Sequence, residues 1–244
     1  MIVHRGIEQG GPEWLRMKAG IPSASQAHRI ITPTGKPSAS AERYMLELLA
    51  ERITGDSAVE APKLWWMERG RELEERAHTG YEFERNVEVD PVSFVTDDTG
   101  RFGCSPDGLV GDDGLVEFKA PNAADHMAIL LKTGTAVKEY GVQCQFQLFV
   151  CPERHWVDLS SYYPALPQGF VRIERDDKFQ ELMAKEVYAF SERLEALYEQ
   201  ILAEGWSTQW KRLTKPLEPK PAPSFSQADL LNEVRGAMQE INKR

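Results

Sequence analysis

Cysteine is scarce in this chain of 244 residues: only Cys104, Cys144 and Cys151, an odd number without Cys-x-x-Cys spacing. That argues against a disulfide scaffold or a cysteine-bound zinc and fits a reducing cytosol. The five histidines (His4, His28, His78, His126, His155) show no HExxH or paired-ligand spacing and read as structural or surface residues. A Walker-type phosphate loop is missing too, so ATP dependence is not implied. No apolar run approaches the roughly 18 residues of a membrane helix. Met1–Gly6 lacks the apolar stretch of a secretory signal. The expectation is a soluble protein acting in the cytoplasm, with no membrane association and no internal repeats.

What is present is a globular composition, 41% hydrophobic and 27% charged, with enough apolar material for a core. The net charge of −9 argues at first against nucleic acid, but it is unevenly spread. Residues 1–50 carry six basic and four acidic side chains, residues 206–244 seven and four, and residues 51–205 the remaining 16 and 30. An acidic middle between basic ends is either a solvated surface or includes carboxylates gathered around metal ions.

The pattern along the chain alternates helices and strands. Pro12 opens a short helix carrying Trp14, Leu15 and Met17, and Gly20-Ile21-Pro22 breaks it. Ser23-Ala24-Ser25 caps a second short helix through about Ile31. A loop at 32–37 leads to helices at 40–54 and 64–84. Strand signals follow at 87–95, 102–105 and 109–110, then the turn Gly111–Gly114 and a return strand at 115–119. Helices are expected at 122–133 and 138–149, strands at 154–162 and 169–174, and a long amphipathic helix at 176–204. This order predicts an α/β fold, a central mixed β-sheet flanked by helices. Residues 214–224 form a proline-rich linker. Beyond it, Leu230, Leu231, Val234, Met238 and Ile241 share one face of an accessory C-terminal helix over 225–244. The organisation expected is thus a domain at 1–213, a linker at 214–224 and a tail helix.

The stretch that carries chemistry is Cys104-Ser105-Pro106-Asp107-Gly108, followed by Glu117-Phe118-Lys119. A hairpin puts Asp107 and Glu117 on adjacent antiparallel strands, and alternation along the second turns Glu117 and Lys119 to one face. Two carboxylates beside an ammonium suit Mg²⁺, which takes oxygen ligands and adds substrate phosphate oxygens. That is metal-assisted phosphodiester hydrolysis in outline. An exposed hairpin presents the same residue types, and Pro-Asp-Gly is a common turn. The pattern becomes specific only with its surroundings.

Those surroundings are Trp14 with Gly20-Ile21-Pro22-Ser23-Ala24-Ser25, Gly70 with Glu74, Cys104–Leu109, Gly114–Pro121, Gln143 with Gln145, and Ile173–Lys178. In this order and spacing, over roughly 14–205, the chain resembles the phage lambda exonuclease, or YqaJ-like viral recombinase, family of the PD-(D/E)xK nuclease superfamily. The resemblance implies a restriction-endonuclease-like core. It implies metal ligation by Asp107, Glu117, the Phe118 carbonyl and Glu74, with Lys119 as catalytic lysine and Gln143 as active-site glutamine. Gln147 shares a helix face with Gln143 and is equally a plain polar residue. Asp97 matches a further acidic position and is equally a turn aspartate. Ser25 and Lys18 match the 5′-phosphate pocket, with lysine where the family's arginine would give a bidentate fork. Lys36 is a candidate for tracking the DNA backbone, and Met67 for an apolar wedge between the strands.

The activity implied is Mg²⁺-dependent 5′-to-3′ double-strand DNA exonuclease, with Mn²⁺ as a substitute. It releases 5′-mononucleotides and leaves 3′ single-strand tails for recombination. The resemblance also implies a ring-shaped homotrimer on double-stranded DNA ends and a single-strand annealing protein as partner. Two alternatives stay open: a structure-specific endonuclease of the same superfamily, and a non-catalytic module that binds DNA ends or protein.

Overall fold

The computed structural model describes residues 1–55 and 64–205, with side chains omitted for 64–71. The chain divides into two units, Met1–Gln200 and Ile201–Arg244. Of the second unit only 201–205, the end of the last helix and Gly205, is described. The expected linker at 214–224, the tail helix at 225–244 and the Met67 side chain lie outside the described residues. No helix among them is long and apolar enough to cross a membrane.

The first unit is built on a five-stranded mixed sheet, in the order β2 (Val89–Asp90), β5 (Gly108–Val110), β6 (Gly114–Lys119), β7 (Trp156–Ser161), β8 (Gly169–Glu174). All pairings are antiparallel except β6 with β7. That parallel step requires a crossover, which helices α4 (Ala123–Leu131) and α5 (Thr133–Val150) supply. The expected mixed sheet flanked by helices is therefore present. A second, antiparallel sheet joins β1 (Ile2–His4), β3 (Phe94–Thr96) and β4 (Gly103–Cys104).

The strand material expected over 87–95 is two strands, β2 and β3, in different sheets. Pro91 stands between them and has no N–H to give to a ladder. The second short helix is a 3-10 helix, Ala24–Arg29. Helix α1 is Pro12–Lys18, α2 Ala41–Thr54, α3 Leu64–Arg85, and α6 Asp177–Ala203. Helix α5 begins at Thr133, ahead of its expected start, and carries Gly134 in its first turn.

β6 is buried along Gly114–Phe118, as the centre of a sheet covered on both faces must be. Val116 and Phe118 face α3, packing with Ala77 and Tyr81. Tyr81 meets Phe118 edge-on, with centroids 5.9 Å apart, and donates its hydroxyl to the buried Asp158 of β7 at 2.8 Å. Arg172 satisfies the same carboxylate with two 2.8 Å hydrogen bonds. A buried charge is tolerable only when so paired. The alternate residues, Glu117 and Lys119, turn to the opposite face, where Glu117 meets α5.

Candidate active site

The local chain at the end of β5 decides the site. The Asp107 N–H bonds the Val116 carbonyl at 3.1 Å, and its carboxylate Oδ2 accepts the Phe118 N–H at 2.5 Å. The carboxylate thus takes the place that a carbonyl of a longer β5 would occupy. Pro106 before it offers no N–H with which to continue the ladder. The parity of β6 turns the Phe118 carbonyl to the same side, into the gap where β5 has not begun. Gly108 lets β2 come close on the other side of β5: a Cβ there would stand 2.2 Å from Val89 Cγ1 and 3.2 Å from the Asp90 carbonyl.

Glu117, 5% exposed, is held by three donors. Lys119 Nζ and Gln143 Nε2 reach Oε1 at 2.7 and 2.6 Å, and Gln147 Nε2 reaches Oε2 at 2.5 Å. Gln143 and Gln147 lie one turn apart on α5, so one helix face grips both carboxylate oxygens. Gln147 is fully buried, and its Oε1 has no hydrogen-bond partner among the described residues.

Burial, then Glu117 and Glu74, hold the Asp107 carboxyl well above the usual carboxylate range, against the Phe118 N–H and Lys119. For Lys119, burial pulls the ammonium down, but Glu117 and Asp107 outweigh it and keep it above its ordinary value.

These groups line a cavity of about 270 Å³ together with Glu74, Lys18 and Ser25. Lys18 Nζ lies 3.5 Å from Ser25 Oγ and 4.5 Å from the centre of the Trp14 ring, one turn away on α1. The Trp14 indole N–H is shared between the Ser93 carbonyl, at 3.0 Å, and Ser105 Oγ, at 3.1 Å, which pins α1 against the second sheet. Burial lowers the Lys18 ammonium, opposed by Glu51 and Glu117. Gly20 makes the turn after α1 with φ +73°, and a Cβ there would meet Arg52 Cγ at 2.2 Å.

The structure thus gathers Asp107, Glu117, Phe118, Lys119, Glu74, Gln143, Lys18 and Ser25 around one cavity. It does not bring Lys36 there: that side chain is exposed in the turn closed by the Thr32 N–H on the Lys36 carbonyl. Asp97 stands outside the cavity lining and serves as a turn aspartate, accepting from the N–H groups of Thr99, Arg101 and Phe102. Gln145 joins elements instead, donating to the Glu174 carbonyl at 2.7 Å and accepting from Gln180 at 2.8 Å. Sequence reasoning passed over Gln9 in the cavity lining and Tyr140 beside Lys119, and left Gln147 undecided. The i, i+3, i+7 spacing of Tyr140, Gln143 and Gln147 is the signal that joins the last two to the site.

The donor chemistry fits Mg²⁺. Asp107, Glu117 and the Phe118 carbonyl supply oxygens only, and a divalent cation there would relieve the repulsion of the two carboxylates that helps hold the Asp107 carboxyl up. Among the described residues no three His, Cys, Asp or Glu gather closely enough to cage a metal. Mg²⁺ asks for less, one or two carboxylates with waters and substrate phosphate completing the shell.

Known proteins bear on this site. The family description "YqaJ-like viral recombinase domain" matches residues 13–153. An alkaline exonuclease (LHK-Exo) from Laribacter hongkongensis is 37% identical, with a TM-score of 0.69 over 81% of this chain and 100% of that one. The same enzyme in complex with dAMP gives 36% identity and a TM-score of 0.70, with the same coverage. A phage-related exonuclease from Haemophilus somnus 129PT, 16% identical over 75% of this chain and 96% of its own, shares the fold with a TM-score of 0.57. Curated proteins give no significant match. The matched span contains every described residue that lines the cavity except Gln9, among them Trp14, Ser25, Asp107, Glu117, Lys119 and Gln143, and the chain belongs to the YqaJ-like viral recombinase family.

Proposed function

We propose that this chain is a Mg²⁺-dependent 5′-to-3′ double-strand DNA exonuclease that releases 5′-mononucleotides and leaves 3′ single-strand tails for recombination by annealing. The observation that carries this reading is one cavity holding both a hydrolytic set, Asp107, Glu117 and Lys119, and a separate cation–hydroxyl pair, Lys18 and Ser25. The first suits a scissile phosphate and the second a terminal one. The relative's complex with dAMP supports it, because a mononucleotide is what end-wise hydrolysis would release.

Asp107, Glu117 and the Phe118 carbonyl would hold the ion, with Glu74 on it or on its waters. Bound there, Mg²⁺ supplies Lewis-acid stabilisation of the phosphate and a more acidic water. Lys119 spends one N–H on Glu117 and has two left for a phosphate oxygen or the attacking water. Gln143 and Gln147 fix the Glu117 carboxylate before substrate arrives. Lys18 meets a terminal 5′-phosphate as a point charge, without the fork of an arginine. The net charge of −9 does not oppose this, because Lys18, Lys119 and the ion make the cavity locally positive toward phosphate.

The proposal extends to a ring-shaped homotrimer and a single-strand annealing partner, as the family resemblance implies, and to action in the cytoplasm, as the cysteine usage suggests. Linear and closed circular duplex, incubated with and without Mg²⁺, test its core. Linear DNA is expected to be degraded only with Mg²⁺, from 5′ ends and to mononucleotides, while circles survive. Cut circles would instead identify an endonuclease, and intact DNA in every lane a binding module.

A further inference from the structure

Helix α5 presents a third residue to the catalytic strand. Tyr140 precedes Gln143 by three positions, on the face that grips Glu117. Its ring lies against Lys119, with Nζ 5.3 Å from the centroid, inside the range of a cation–π contact. Tyr140 is half-buried and is not among the described residues that line the cavity, so it meets the lysine without forming part of the cavity wall.

Lysine has a flexible four-carbon stem, and Lys119 is 24% exposed, so packing alone does not fix its head. Glu117 holds the ammonium from one direction at 2.7 Å. The ring attracts it from another without presenting an acceptor lone pair that would take up further N–H donors. Those donors remain for the cavity that Lys119 lines. A carboxylate in place of the ring would compete for them, and an aliphatic side chain would exert no pull.

We propose that Tyr140 is a positioning residue for the catalytic Lys119, acting through its ring face and not through its hydroxyl. This rests on the nuclease reading above and adds to it the side chain that keeps the lysine poised.

Two variants and two readouts test it. Tyr140→Leu removes the ring, and Tyr140→Phe keeps the ring and removes the hydroxyl. With saturating Mg²⁺ and 5′-phosphorylated linear duplex, Tyr140→Leu should lower kcat roughly 2- to 30-fold, the range a lost cation–π contact allows. Tyr140→Phe should restore kcat to near the wild-type value. Duplex-end affinity measured in EDTA and the Tm should stay close to wild type in both. By NMR, the Lys119 ε-methylene signal, assigned by its loss in Lys119→Ala, should be ring-current shifted in wild type and Tyr140→Phe and unshifted in Tyr140→Leu. An unchanged kcat in Tyr140→Leu, or an equal loss in both variants, would overturn the proposal. So would a Tm that falls in step with kcat, the mark of a merely structural residue. A wild type that cleaves nothing in Mg²⁺ while its Lys119 signal is shifted would overturn the nuclease reading, and this role with it. A wild type that cleaves but shows no shift would overturn the contact alone.

Discussion

Replacing Glu117 by glutamine separates the work of the charge from the work of the shape. The carboxylate accepts three hydrogen bonds, at 2.7, 2.6 and 2.5 Å, from Lys119, Gln143 and Gln147. An amide has only one accepting oxygen. With that oxygen in the Oε1 position, Lys119 and Gln143 keep their acceptor, and the new NH₂ faces Gln147 Nε2. Gln147 can then rotate its amide and present Oε1, the atom that has no partner among the described residues in the wild type. The unpaired buried atom moves from the oxygen of Gln147 to its nitrogen, and the count of unsatisfied groups is unchanged. What is lost is the charge assistance, about 0.5–1.5 kcal/mol. It is offset by relief of the repulsion with Asp107, whose carboxyl should fall back toward its usual range. The metal-free fold should therefore lose no more than about 1–2 kcal/mol.

Function should respond quite differently. A lost metal ligand removes several kcal/mol of stabilisation, so hydrolysis should fall by roughly two to four orders of magnitude. The assay is thermal unfolding with and without Mg²⁺, beside cleavage of linear duplex. At 100 times its Kd the ion would stabilise the wild type by about 2.7 kcal/mol, which for a protein of this size would raise Tm by roughly 5–10 °C. The variant should unfold near the metal-free wild-type temperature and ignore Mg²⁺. A variant that still gains the full Mg²⁺ shift, or turns over at near wild-type rate, would refute Glu117 as a ligand.

Lys18→Ala should erase most of any preference for 5′-phosphorylated over 5′-hydroxyl ends while leaving the cleavage chemistry in place. A wild type with equal rates on both ends would show the Lys18–Ser25 pair to be misread. Gly20→Ala should cost about 1–3 kcal/mol, seen as a lower midpoint in urea, because φ is +73° and Arg52 Cγ stands 2.2 Å from the new Cβ. Asp97→Ala should cost about 1–2 kcal/mol at neutral pH. Burial raises the Asp97 carboxyl, but hydrogen bonds from Thr99, Phe102 and Arg101 outweigh it and leave it below its usual value. Its stabilisation is therefore complete above the usual carboxylate pKa and lost as pH falls through the lowered one, so wild type and variant should converge in Tm in strong acid. A chain ended after Leu213 should keep Mg²⁺-dependent cleavage, because among the described residues those lining the cavity all fall between Gln9 and Gln147. A truncated protein that is folded yet inactive would place the tail in the active site.

Local patterns made much of this legible from sequence, and tertiary patterns hid the rest. The Asp107–Glu117 hairpin could be read because Gly111–Gly114 closes it within a few residues. Helices α2 and α6 could be read from one apolar stripe each. Strand β1 could not, because its three residues pair with β3 some ninety positions away. Helix α5 carries buried side chains around much of its circumference, among them Ala136, Val142, Cys144, Phe146 and Leu148. Without a clear stripe its roll has no signature of its own, so only their spacing from Gln143 ties Tyr140 and Gln147 to the face that meets β6. The charge of Lys36 was visible but not its distance from the cavity, and Asp97 was ambiguous until its carboxylate was seen to cap its own turn.

The site depends on where two strands end. β6 continues through Lys119, paired with β7 throughout, whereas β5 starts only at Gly108. The three residues of β6 beyond that pairing leave the Phe118 amide to a carboxylate and its carbonyl to the cavity. The proline before Asp107 keeps the ladder from closing that gap. Side chains alternate along β6, so a slip of one residue would send Glu117 and Lys119 toward α3 and Phe118 toward α5. The wall of Ala77 and Tyr81 would then meet two charges, and Gln143 and Gln147 would meet an aromatic ring. The apolar face thus enforces the register that the cavity face needs. Burial of Val116 and Phe118 against α3 is the force that aims Glu117 and Lys119 at α5.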